Sequence, residues 1–188
     1  MALTKITGSG LGTLTSDVDA QGSSGATLKL TSTDTTGADT ELLGQIDFVS
    51  SDSSTGSAGT QARIKGVYED NGDSTGIAFL TGNSTGSGTP TITEKMRIRH
   101  EGDVLVGTTN TTPGVGNTTA GFALNNSNLL CVSRSGDTPV SINRSSNDGN
   151  IVDFRKDGTT IGVIGTEGDD ITIGKGDTAI QFKAGNNA

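Results

Sequence analysis

Tryptophan is absent from this 188-residue chain, and tyrosine, cysteine and histidine occur once each, as Tyr68, Cys131 and His100. Sugar-cleaving clefts stack their substrates on aromatic platforms, so this shortage argues against a glycoside hydrolase. A single cysteine makes neither an intrachain disulfide nor a thiolate metal cage and fixes no redox compartment. Positive charge is also scarce. Thirteen Lys and Arg face 21 Asp and Glu, for a net charge of −8, with no basic cluster. Nucleic acid as a partner is disfavoured, and so is a polybasic membrane-surface mode. No apolar run approaches the roughly 20 residues of a membrane span, and MALTKITGSG lacks the apolar stretch of a signal peptide. A protein made and kept soluble is expected.

The apolar supply itself is thin. Leu, Ile, Val and Phe make up 40 of the 188 residues, close to the fraction of about one fifth below which chains tend to disorder. Ordering the backbone costs on the order of 1–2 kcal/mol per residue, and a chain with 29 glycines has little side-chain area to offset it. Partner chains are an obvious source of the missing core.

What is present is alternation. Ile151, Ile161 and Ile171 recur every ten residues, with Gly-containing turns at Asp157-Gly158, Glu167-Gly168 and Lys175-Gly176 between them. The period within each segment is two, as in Val152-x-Phe154, Ile161-x-Val163, Ile171-x-Ile173 and Ile180-x-Phe182, which predicts short strands with one face in a core. Similar runs lie upstream at 26–32, 43–50, 62–68 and 76–81, with shorter ones at 129–132 and 140–142. The segment EKMRIRHEGDVLVG (94–107) predicts a hairpin, with Met96 and Ile98 on one arm and Val104 and Val106 on the other. Four of the five phenylalanines follow a β-branched residue by two: Ile46-x-Phe48, Ile77-x-Phe79, Val152-x-Phe154 and Ile180-x-Phe182. The predicted organisation is an N-terminal arm (1–25), a proximal β domain (26–107), a Thr/Asn/Gly-rich linker (108–128) and a distal β ladder (129–188).

The sequence EKMRIRHEGDVLVGTTNTTPG (94–114) and the run SRSGDTPVSINRSSNDGNIVDFRKDGTTIGVIGTEGDDITIGKGDTAIQF (133–182) resemble the stem and distal parts of tail fibre proteins from tailed bacteriophages. LLGQIDFVSSD, ARIKGVYED and GIAFLTGN resemble upstream strands of the same fibres, so the likeness extends over roughly residues 26–184. It implies an all-β, elongated homotrimer of short strands and hairpins, forming an intertwined β-helix- or β-sandwich-like shaft around a three-fold axis. It further implies a virion structural protein, made in the host cytoplasm and carried on the exterior of tail or capsid. Its partners would be other virion proteins, through the N-terminal arm, and a host surface receptor or polysaccharide. Head fibre, capsid decoration protein, polysaccharide-degrading spike and calcium-stabilised adhesin are the alternatives. A trimer also suits the thin apolar supply: Phe48, Phe79, Phe154, Phe182, Ile161 and Ile171 are the expected core residues, buried between chains at about 25 cal/mol per Å².

No enzyme and no cofactor is expected. Gly82-Asn-Ser84-Thr-Gly86 matches a nucleophile elbow in letters only, because its flank, GSGTP, does not open a helix. The stretch from Gly168 to Asp177 offers one imperfect copy of a calcium-binding turn, where such sites need several. Asp47, Glu69, Asp70 and Asp153 are candidate carboxylates for hydrolysis, read more simply as solvated charges. His100 is read as a solvent-facing turn residue, although a trimer would gather three copies at one height as a potential His₃ site. Cys131, between Leu130 and Val132, reads as a small buried apolar residue. Binding determinants are expected in the loops 50–60, 82–90 and 107–127.

Overall fold

The two-residue period of the sequence resolves into eleven strands and no α-helix in the computed structural model, which describes residues 25, 27–52, 58–83, 90–168, 170–176 and 178–183. The expected arm over 1–24, Ser84, Asp169 and Asp177 lie outside the described residues. Strands β1 (Leu42–Ser50), β2 (Gly59–Glu69), β3 (Ser74–Asn83), β4 (Thr91–Ile98), β5 (Val104–Val106), β6 (Gly121–Leu124) and β7 (Leu130–Ser133) form one antiparallel sheet in sequence order. Strands β8 (Gly149–Lys156), β9 (Thr159–Glu167), β10 (Asp170–Lys175) and β11 (Thr178–Phe182) form a second meander, also antiparallel and in sequence order. Among the described residues, no strand of one sheet packs against a strand of the other. No helix of the described residues is long and apolar enough to cross a membrane.

The turns follow from local chemistry. Asp157 (φ 50°) and Gly158 (φ 78°) alone connect β8 to β9, the pair of positive φ values that a type I′ hairpin needs to match the twist of its strands. The 94–107 segment forms the expected hairpin, Met96 opposite Val106 and Ile98 opposite Val104. Its turn closes through Arg99 N to Asp103 O and Gly102 N to Arg99 O, both at 2.9 Å.

Three features depart from the sequence reading. The segment 108–128 carries β6, whose Phe122-Ala-Leu124 alternation is ladder-paired to β5 on one side and β7 on the other. The strand-free stretch between the sheets is therefore 134–148, not 108–128. Residues 27–32 form no strand: Leu28 and Leu30 stay exposed, and Leu30 crosses over Gly44, where only a glycine leaves room for it. Residues 140–142 also form no strand, and Val140 and Ile142 are exposed.

The side chains fully withdrawn from water are few. Leu105 (1% exposed), Ala123 and Cys131 form a compact row on adjacent strands β5, β6 and β7. The 107–120 loop folds back over this row: Pro113 is buried, and a side chain at Gly114 would meet Ser133 Cβ at 2.8 Å. Neutral amides hold the loop. Asn117 Oδ1 accepts from Gly114 N and Thr119 N, and its Nδ2 donates to the carbonyls of Thr112 and Val115.

Candidate functional site

Residues directly opposite one another in an antiparallel ladder project from the same face. Tracing those pairs across the seven-stranded sheet gives an unbroken apolar row: Ile46, Ile64, Phe79, Met96, Val106, Phe122 and Val132. Two residues along each strand, a second row on the same face reads Gly44, Gly66, Ile77, Ile98, Val104, Leu124 and Leu130. Phe48 opposite Ala62 extends it at the β1 edge. At about 4.8 Å per strand the rows run about 29 Å across. This face is open: Phe48 is 53% exposed and Phe122 39%, and Ile46, Ile77, Val106, Leu124 and Leu130 are likewise exposed.

The four-stranded sheet repeats the arrangement. Val152, Ile164, Ile173 and Ile180 stand opposite one another across all four strands. Ile171 opposite Phe182 lies two residues to one side, and Phe154 opposite Gly162 two residues to the other. Phe154, Ile171, Ile173, Ile180 and Phe182 are all exposed. Open apolar surface of this continuity is the mark of an interaction face.

The expected core residues divide accordingly. Phe48 and Phe79 lie on the open face of the larger sheet, and Phe154, Phe182 and Ile171 on that of the smaller. Ile161 lies apart, because the register passes from Phe154↔Gly162 to Arg155↔Thr160 and leaves it unpaired in a β-bulge. Phe122 was missed, because its apolar partner Leu124 follows it and is not β-branched, unlike the partners of the other four phenylalanines.

The opposite face of the larger sheet carries charge. Arg63 Nε and Nη2 donate to the two oxygens of Asp47 at 2.6 and 2.7 Å, and this hydrogen bonding holds the Asp47 carboxyl below the usual aspartate range. Arg97 donates to Glu94 at 2.8 Å from both Nε and Nη2, and from Nη1 to Glu69 at 3.0 Å. Its hydrogen bonds to Glu94 and Glu69 raise the guanidinium above its ordinary range.

Glu69, 6% exposed at the end of β2, is the centre of this charged group. It accepts from His100 N at 3.2 Å and lies 3.0 Å from His100 Nδ1 and 3.9 Å from Arg99 Nε. Burial works to raise its pKa. The hydrogen bonds from His100 and Arg97 and the charge of Arg99 outweigh burial and hold it below the ordinary glutamate range. His100 is an exposed turn residue, as expected, and its Nε2 lies 3.3 Å from Asp70 Oδ2.

The candidate hydrolytic carboxylates are all ion-paired or hydrogen-bonded. Asp47 pairs with Arg63, Glu69 with Arg97, Asp70 with His100 and Ser74, and Asp153 with Arg155. Comparison of the chain with protein-family models, with curated proteins and with solved structures finds no match.

Proposed function

We propose that this chain is a structural subunit of a bacteriophage virion, a homotrimeric tail fibre or spike that displays a host-contacting surface and performs no catalysis. The observation that carries the reading is the pair of open apolar sheet faces. Among the described residues each sheet is a single layer with one face of Ile, Val and Phe side chains largely open to water, and a layer stays folded by covering such a face. Two further copies of the same chain supply that cover for both sheets at once. The shared core then contains Phe48, Phe79, Phe122, Phe154, Phe182 and Ile171. The charged face, with its satisfied ion pairs, turns outward. The likeness of 94–114 and 133–182 to phage fibre stems supports the same assignment, with attachment through the N-terminal arm.

Sedimentation equilibrium at micromolar concentration tests the assembly. The expected mass is three times that of the 18.9 kDa chain, and a mass equal to one chain would refute the trimer. Gold-labelled antibody on purified phage particles tests the placement: label on tail or capsid is expected, and unlabelled particles would remove the virion assignment.

A further inference from the structure

One end of the seven-stranded sheet carries the β2–β3, β4–β5 and β6–β7 turns together with the 38–41 segment that leads into β1. These four pieces are far apart in sequence, yet each is tied to the next in the same manner: a carboxylate accepts a backbone N–H across the gap. Asp39 Oδ1 accepts from Asn71 N at 2.7 Å, Glu69 Oε2 from His100 N at 3.2 Å, and Asp103 Oδ1 from Asn126 N at 2.9 Å. The free oxygens of the two inner carboxylates are held by arginine, Glu69 Oε1 by Arg97 and Asp103 Oδ2 by Arg99 at 3.2 Å. Glu69 and Asp103 are the buried charged residues among those described, and Asp103 is 2% exposed. The β5–β6 loop at the opposite end is held by Asn110 and Asn117, side chains that do not titrate.

We propose that the turn-bearing end is an acid-operated latch, in which protonation of Glu69 frees the β4–β5 turn from the β2–β3 turn while the strand ladders and the Asn-held end stay in place. The inference does not depend on the fibre assignment. A protonated carboxyl loses the charge that strengthens its hydrogen bonds, and the oxygen that carries the new proton becomes a poor acceptor for the N–H donor it faces. Arg97 and Arg99 are then left partly unpaired.

Each group that faces the latch contributes to its sign. Glu69 faces Arg97 from β4 and Arg99 and His100 from the turn; Asp103 faces Arg99; His100 faces Asp70 and Glu101 besides Glu69; Asp39 is exposed beside a cleft of about 190 Å³ that Tyr68, Asp70, Arg97 and Arg99 also line. Protonating His100 acts in the closing direction, because the doubly protonated ring donates toward both Glu69 and Asp70. Glu69 acts in the opening direction. Its folded-state pKa is depressed, so its contribution is intact above the ordinary glutamate value of about 4.5 and is lost as pH falls through the lower folded value. The latch is closed at neutral pH and opens in acid.

Amide NMR of the perdeuterated full-length chain, titrated from pH 7 toward pH 3, reads the device directly. Loss or broadening of the His100 amide signal below about pH 4.5 is expected, with the ladder amides of Lys65 and Ala78 and the loop amides of Thr112 and Thr119 retained. If the ladder amides vanish together with the His100 amide, or the His100 amide persists until global unfolding, the latch does not exist. Glu69→Gln is the neutral isostere of the protonated acid, so its His100 amide signal is expected to be lost or broadened already at pH 7, while the ladder amides of Lys65 and Ala78 are unchanged. An unchanged His100 transition in that variant would overturn the assignment to Glu69. If Glu69→Gln fails to fold, the wild-type titration decides alone.

Discussion

Phe79 of β3 and Phe122 of β6 stand in one row on the same open sheet face, with Met96 and Val106 filling the two strands between them. Among the described residues neither ring is covered by a second layer, and one partner surface laid along the row would cover both. Phe122→Asp is therefore expected to move the sedimentation mass from a trimer toward the 18.9 kDa chain. Phe122→Ala should weaken association by about 3 kcal/mol per subunit, by analogy with the truncation of a buried phenylalanine. Ile161→Asp, at a bulge outside the rows, should leave the mass unchanged.

Arg97→Ala leaves Glu69 buried with His100 and Arg99 as its remaining partners. Breaking a buried pair from one side costs about 3–5 kcal/mol, and Arg97 retains some exposure to water, so a loss of about 2–3 kcal/mol is expected. A lowered urea midpoint with an unchanged slope would confirm it. Arg97→Lys should recover only part of the loss, since an ammonium cannot reach Glu94 with two nitrogens and Glu69 with a third.

The Arg63–Asp47 pair carries its own pH signature. The depressed Asp47 pKa means that this pair stabilises the folded chain above the ordinary aspartate value of 3.8, and the contribution disappears as pH falls through the lower folded value. Asp47→Asn should be less stable than wild type at pH 7, and the two thermal midpoints should converge between about pH 3.8 and pH 2. Curves that stay parallel over that range would show that the pair adds nothing.

Asn117→Ala removes the side chain that gathers four backbone groups of the 107–120 loop. Cys131, buried on β7 two residues from Ser133, which the loop's Gly114 approaches, reports the result. Its labelling by a thiol reagent should accelerate roughly five- to tenfold, in line with about 1 kcal/mol of lost local protection, while the ladder of β1 to β4 keeps its thermal midpoint.

The all-β class and most strands were legible because alternation survives wherever one strand face is apolar. The 94–107 hairpin shows this best: Met96 and Ile98 face Val106 and Val104 in the register that their spacing predicts. The ten-residue recurrence of isoleucine was legible too, but it misled. Ile151 and Ile161 both fall at register shifts in the β8–β9 ladder, and one extra residue in a strand reverses which face the following side chains occupy. The 107–120 loop looked like a linker because asparagine and threonine are common in flexible segments. Here they satisfy backbone groups, and composition cannot distinguish the two uses. The Glu69–His100 link was invisible for another reason: its partners are 31 residues apart, and only the register of three hairpins brings them together.

Among the described strands every ladder joins neighbours along the chain, β1 through β7 and then β8 through β11. Such a meander closes only short loops as it forms, which makes strand pairing fast for an all-β protein. Each hairpin is able to add to the last as it leaves the ribosome. In the proposed trimer the encounter between chains, which depends on concentration, then becomes the slow step, and refolding rates should rise with protein concentration.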